Sequence, residues 1–182
     1  MAEELVDVID EQGNKTGEVV SRNEAHAKGI LHRTVHVWII NQAGEVLIAR
    51  RAPEKETNAN KWGVSSVAGH VRSGEEPIDA ALAEVREEID LKLEESDFEH
   101  LYATLHWRDH HGGALITNHL DESYLVEREI DTKKLVLQEG EVSEVALRHF
   151  TDLEKAVASG NSEFADHEEY AKLFPILHER YG

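Results

Sequence analysis

The chain has 182 residues and no cysteine: long enough for one domain to bury its own core, and without the means for a disulfide framework, a thiolate metal site or a catalytic cysteine. Its 37 acidic residues outnumber 19 basic ones, and the resulting charge of -18 repels nucleic-acid backbones and anionic membranes. No apolar run approaches the ~20 residues of a membrane span, and Met1-Ala2-Glu3-Glu4 lacks the basic-then-apolar pattern of a secretion signal, so a cytoplasmic protein is expected, with no membrane and no nucleic-acid polymer among its partners.

Leu5 to Ile9 and Gly17 to Val20 flank the turn-rich Asp10-Glu11-Gln12-Gly13-Asn14 and predict a hairpin. Arg33 to Ile40, dominated by β-branched and aromatic residues, leads through Asn41 to Gly44 into Val46 to Ala49, a second hairpin. Arg50 and Arg51 stand where that strand runs out, followed by a polar loop through Asn60 and an apolar stretch from Trp62 to Ala68. The clearest helix runs from about Pro77 to Ile89, because Ile78, Leu82, Val85 and Ile89 recur at helical steps and Pro77 suits a first turn. Strand-like segments return at Leu101 to Trp107, Ala114 to Thr117, Tyr124 to Glu127 and Val145 to Phe150, with a turn at Gly112-Gly113. Helical patterns close the chain from Asp152 to Ala158 and from Glu168 to Arg180, where Pro175 is expected to kink or shorten the helix. No linker or repeat divides this sequence, so residues 1–182 are expected to be one domain of α/β or α+β layers.

The chemistry concentrates in residues 69–91, a glycine-bounded loop that enters the helix. Glu84 shares a helix face with both Glu87 and Glu88, three and four residues on. Three like charges there are destabilising, and a divalent cation would relieve them while supplying the hard oxygen coordination that Mg2+ or Mn2+ prefers. An acidic helix face is more often merely solvated, but here the spacing argues otherwise.

Gly69, Glu75, Glu84, Val85, Glu87, Glu88 and Leu91 fall in the register of the Nudix box, so the stretch resembles that of a Nudix hydrolase. The resemblance departs at Ala83, where the family has an arginine that braces the glutamates, and at Asp90, where it has glycine. It implies an α/β/α sandwich with a mixed β-sheet, a metal site of Gly69, Glu84, Glu87 and Glu88 holding Mg2+ or Mn2+, and hydrolysis of a diphosphate linkage in a small nucleoside-diphosphate-like or prenyl-diphosphate substrate. Beyond the box the chain is similar to the isopentenyl-diphosphate isomerase branch, through Leu31-His32-Arg33-Thr-Val-His36-Val-Trp38, Arg50-Arg51, Trp62 and Ala68-Gly69-His70. Ala68 stands where the isomerase carries its cysteine and cannot transfer a proton, which argues against isomerase chemistry. Such chemistry stays an alternative, as does a catalytically weak ligand-binding or sensor domain.

The same resemblance implies diphosphate contacts from Arg50, Arg51 and Lys55, suited to phosphate oxygens. It points to Glu122 as a further catalytic glutamate beside Glu84 and Glu88, with Glu141 the second candidate and Glu84 itself a possible general base. His26, His32 and His70 resemble the isomerase's metal-binding histidines, although His26 and His32 stand one residue closer together; packing or hydrogen-bonding roles are preferred for His32 and His36. The group His106, His110, His111 and His119 lacks regular ligand spacing and is not read as a zinc site. Relatives that pair as dimers make a homodimer the oligomer to test.

Overall fold

The computed structural model of the chain describes residues 3–110 and 112–182. β1 (Leu5–Ile9) and β2 (Lys15–Ser21) pair antiparallel, and the Asp10 carboxylate holds the turn by accepting from the backbone N–H groups of Gln12 and Asn14. The Ser21 hydroxyl then accepts from Glu24 N and starts α1 (Arg22–Lys28), which Gly29 ends in the left-handed region at φ 65. The sequence pattern did not announce this helix. In seven residues it buries only Ala25, too few for a helical period to emerge.

The main sheet contains β3 (His32–Ile40), β4 (Glu45–Arg51), β5 (Val67–His70), β6 (Glu99–His110), β7 (Leu115–Glu127) and β8 (Val142–His149), ordered β6-β7-β3-β4-β8 with β5 also paired to β3. β3 and β7 run parallel while the other pairs are antiparallel, so the sheet is mixed, as expected. β3 and β4 share only the pair Ile40–Val46 before diverging, and β5 takes over the β3 edge from Thr34 to Val37. Ser66 bridges the divergence, its hydroxyl accepting from Ile39 N at 2.9 Å and donating to Leu47 O at 2.5 Å.

Alternation along β3 fills two cores. Val35, Val37 and Ile39 pack against Ala80, Ala81, Val85 and Ile89 of α2 (Pro77–Ile89). Trp38 and Ile40 pack on the opposite face against Leu153 of α3 (Phe150–Ala158) and Leu173 and Leu177 of α4 (Tyr170–Tyr181). Each fully buried aliphatic side chain contributes about 1.5–3 kcal/mol, and together they hold helices to both faces of the sheet, the expected sandwich.

Three details differ from the sequence reading. The fragments expected between Leu101 and Glu127 are two continuous strands, because the stretch from Asn118 to Ser123 carries polar side chains that the fold buries or half-buries. Phe150 opens α3 instead of ending a strand, since the His149 side chain accepts from Thr151 N as a helix cap. α4 runs through Pro175, which sits on its exposed side, where a carbonyl deprived of its donor meets water. Among the described residues no helix is long and apolar enough to cross a membrane.

Candidate active site

Where the β3–β4 divergence ends, β5 and α2 come together, and the contact depends on one missing side chain. A Cβ built on Gly69 would lie 2.1 Å from Glu84 Cδ, so only glycine lets the Glu84 carboxylate rest on the β5 backbone. The helical spacing of Glu84, Glu87 and Glu88 does what the sequence implied: all three, with Gly69, line one cavity of about 1060 Å³. Burial and the neighbouring Glu87 push the Glu84 carboxyl up to about 7. Glu88, only 8% exposed, is pushed to about 8 by burial and by Glu84 and Glu141. Two carboxylates that resist ionisation side by side would ionise more readily if a positive charge stood next to them.

Arg51 and Lys55 line the same cavity. Arg51 is held by Thr57, its Nε donating to the carbonyl at 2.9 Å, and Lys55 pairs with Glu141. Arg50 does not join them. Successive strand residues face opposite ways, so its guanidinium lies 5.0 Å over the Trp62 ring and pairs with Glu144 and Glu163. Glu122 is likewise turned away. Its carboxylate is bound by Arg33 at 3.0 Å and His100 at 2.8 Å on the face opposite the cavity, which corrects the expectation that it joins Glu84 and Glu88. Glu141 is a further glutamate beside the α2 carboxylates, as is Glu4, and the acid of β7 that lines the cavity is Asp121, one residue from the expected one.

Beyond β5 the cavity is walled by His26, His70 and His119, with His32 fully buried outside its lining. His26, His32, His70 and His119 each offer a ring nitrogen, and these nitrogens all lie within 4.8 Å of one another. Burial is the main cause that lowers the basicity of each, with neighbouring imidazoles adding to it for His26, which falls to about 4, and for His70 and His119. Burial thus favours the neutral form of each ring. The packing or hydrogen-bonding roles preferred for His32 and His36 describe both: His32 is fully buried with Nδ1 2.8 Å from the Ile30 carbonyl, and His36 is hydrogen-bonded. His36 pairs with Glu169, a buried carboxylate that also accepts from Trp38 Nε1 at 2.7 Å and Ser123 Oγ at 2.6 Å. Burial alone would lower His36, but Glu169 and Asp121 overcome it and raise the ring to about 9. Of the other histidine group, His106 and His110 line the cavity, His106 bonding Glu168 at 2.6 Å, while His111 lies outside the described residues.

Residues 30–173 match the NUDIX domain family. The chain belongs to the Nudix family. Nudix hydrolase 3 of Arabidopsis thaliana is 32% identical over 186 residues, covering 99% of this chain but only 24% of that protein, so the chain spans about a quarter of that relative. An isopentenyl-diphosphate Delta-isomerase of Pectobacterium atrosepticum is 37% identical over 85 residues, 47% of this chain and 46% of the isomerase. Among solved structures, DR0079 of Deinococcus radiodurans superposes with a TM-score of 0.70 at 19% identity, covering 98% of this chain and 100% of that one, a likeness of fold.

The two departures from the Nudix box have visible local answers. Where Ala83 leaves no arginine, Arg72 brings Nη2 to 3.6 Å from Glu87 Oε2 and supplies a countercharge from outside the helix. Asp90 takes the left-handed cap at φ 50 that glycine would take without strain, and its carboxylate pairs with Arg86 at 3.0 Å. Ala68, at the isomerase's cysteine position, lines the cavity with a methyl group.

Proposed function

We propose that this Nudix hydrolase cleaves a diphosphate linkage in a small nucleoside-diphosphate-like substrate, with Mg2+ or Mn2+ held by Glu84, Glu87, Glu88 and the Gly69 carbonyl. The observation that carries the reading is that three α2 carboxylates line one cavity with Gly69, against which Glu84 rests, and that two of them have raised pKa values. A divalent ion bound there would polarise a phosphoryl oxygen and acidify a water. Arg51 and Lys55 would orient the phosphates, and their charge offsets the field of so acidic a chain. Glu141 or Glu84 would take the proton of the attacking water, since both border the α2 cluster.

The walls favour a polar leaving group over a prenyl chain. Among the described residues, the apolar side chains that line the cavity are only Leu5, Val64, Ala68, Leu115 and Ala165, too little surface to bury a hydrocarbon tail. Ala68 offers no proton donor, and isomerase chemistry has no support from these side chains.

The test is a hydrolysis assay with Mg2+ that follows the release of phosphate, diphosphate and phosphomonoesters, run over nucleoside diphosphates, sugar nucleotides, dinucleotides and prenyl diphosphates. Glu88→Gln is expected to lose most turnover while unfolding at a similar temperature. Full metal-dependent turnover in that variant, or no release from any substrate, would overturn the proposal.

A further inference from the structure

We infer that His36 and Asp121, on the face of the sheet that carries α4, form a subsite that reads a hydroxyl of a sugar-like leaving group, with Glu169 positioning His36. The inference rests on the diphosphatase reading above and names the group beyond the phosphates.

Thr34 and Asp121 are register partners, and His36 lies two residues along β3 on the same face. His36 and Asp121 both line the cavity, although they are only 8% and 0% exposed. His36 Nδ1 donates to Glu169, a carboxylate that Trp38 and Ser123 also hold, so the ring is fixed from behind. The ring is protonated at neutral pH, and its other nitrogen therefore carries a proton as well. That Nε2 stands 3.9 Å from Asp121 Oδ1, beyond hydrogen-bond reach, and among the described residues it has no acceptor. Asp121 has matching capacity. Thr34 donates to Oδ1, which keeps a second lone pair, and Oδ2 is buried without a directed hydrogen bond even though His167 Nε2 lies 3.2 Å away.

A donor and an acceptor 3.9 Å apart are bridged by one hydroxyl oxygen about 2.8 Å from each, accepting from Nε2 and donating to Oδ1. Other ligands fit less well. A phosphate oxygen brings no proton for Asp121 and would meet two carboxylates, Asp121 and Glu169, around a single imidazolium. A hydrocarbon would leave both polar groups unpaired in a buried place. A cation finds no lone pair on the rings, because His36 carries both protons and His167 Nδ1 accepts from Glu169 N. Buried groups that pair with a substrate hydroxyl reject the analogue lacking it far more strongly than an apolar pocket rejects a misfit.

The experiment is titration calorimetry with Mg2+ on the full chain carrying Glu88→Gln, in which turnover is expected to be slow. Two size-matched pairs are compared: UDP-glucose with the cyclohexyl ester of UDP, and ADP-ribose with the cyclopentylmethyl ester of ADP. In at least one pair the sugar should bind about 10–100-fold more tightly than the ester. Adding His36→Gln or Asp121→Asn should bring that ratio close to one while the ester binds as before, and Glu169→Gln should lower it too. Unfolding midpoints identify a misfolded variant, and the three substitutions are independent routes to the same ratio. Equal binding within both pairs, no binding of either, a ratio that none of the substitutions changes, or losses that fall on sugar and ester alike would overturn the subsite. Because the ratio is read from binding, a sugar preference without hydrolysis of any substrate by the unsubstituted chain would sink the diphosphatase reading alone. Hydrolysis without that preference would sink the subsite alone.

Discussion

Gly69 and Glu84 are the pair on which the hydrolytic site turns. A methyl group at position 69 would sit 2.1 Å from Glu84 Cδ, so Gly69→Ala must drive the carboxylate off the strand. Displacements of about 1 Å in a catalytic group can slow a reaction about 100-fold, and steady-state kinetics on this variant should show a loss of at least that size. Overpacking should lower stability by roughly 1–3 kcal/mol in a denaturant melt, so activity falls much further than the fold does. Glu122 is predicted to behave in the opposite way. Glu122→Gln breaks the ion pair with Arg33 and His100 on the far face, lowering stability by roughly 1–3 kcal/mol and leaving turnover as it was. A collapse of kcat with the fold intact would return Glu122 to the catalytic group.

At the scale of one element, α2 concentrates charge that the fold must tolerate. Glu84 and Glu88 have folded pKa values raised to about 7 and about 8, above the ordinary carboxylate value. The folded state therefore binds their protons more tightly than the unfolded chain does, and their contribution to stability is fully present below the ordinary carboxylate pKa. It is lost as pH rises through about 7 and about 8. A divalent cation takes the place of those protons. The rise in Tm on adding Mg2+ or Mn2+ to the metal-free chain should thus be larger above pH 8 than below about pH 6, measured by thermal melts at matched ionic strength. A rise that does not vary with pH would mean that the metal binds elsewhere. The same helix was the most legible element in the sequence, since its apolar stripe and its carboxylates obey one period of 3.6 and require no knowledge of distant strands. α1 and the continuous β6–β7 hairpin were not legible in that way. One is too short to display a period, and the other hides a buried polar row inside what reads as broken strand.

For the whole molecule, a charge of -18 over 182 residues opposes compaction. Raising salt from about 0.01 M to about 0.15 M shortens the screening length from about 30 Å to about 8 Å, and Tm should rise in buffers without divalent metal. A fall in Tm over that range would show that surface ion pairs outweigh the repulsion. The splayed sheet, with α2 on one face and α3 and α4 on the other, places two unlike donor sets on one cavity, carboxylates before β5 and imidazoles beyond it.

The sequence by itself determined the local machinery: both hairpins, α2, and the three glutamates that share one side of that helix, because each follows from spacings within a few turns of chain. Only the tertiary structure decided which acid of β7 meets the cavity and which histidines meet one another. A strand has a period of two, so the step from Glu122 to Asp121 changes the face of the sheet, and nothing in the local pattern marks which face is used. His26, His32, His70 and His119 belong to four different elements, and their convergence depends on strand register and the docking of α1, which are settled between parts of the chain about 90 residues apart.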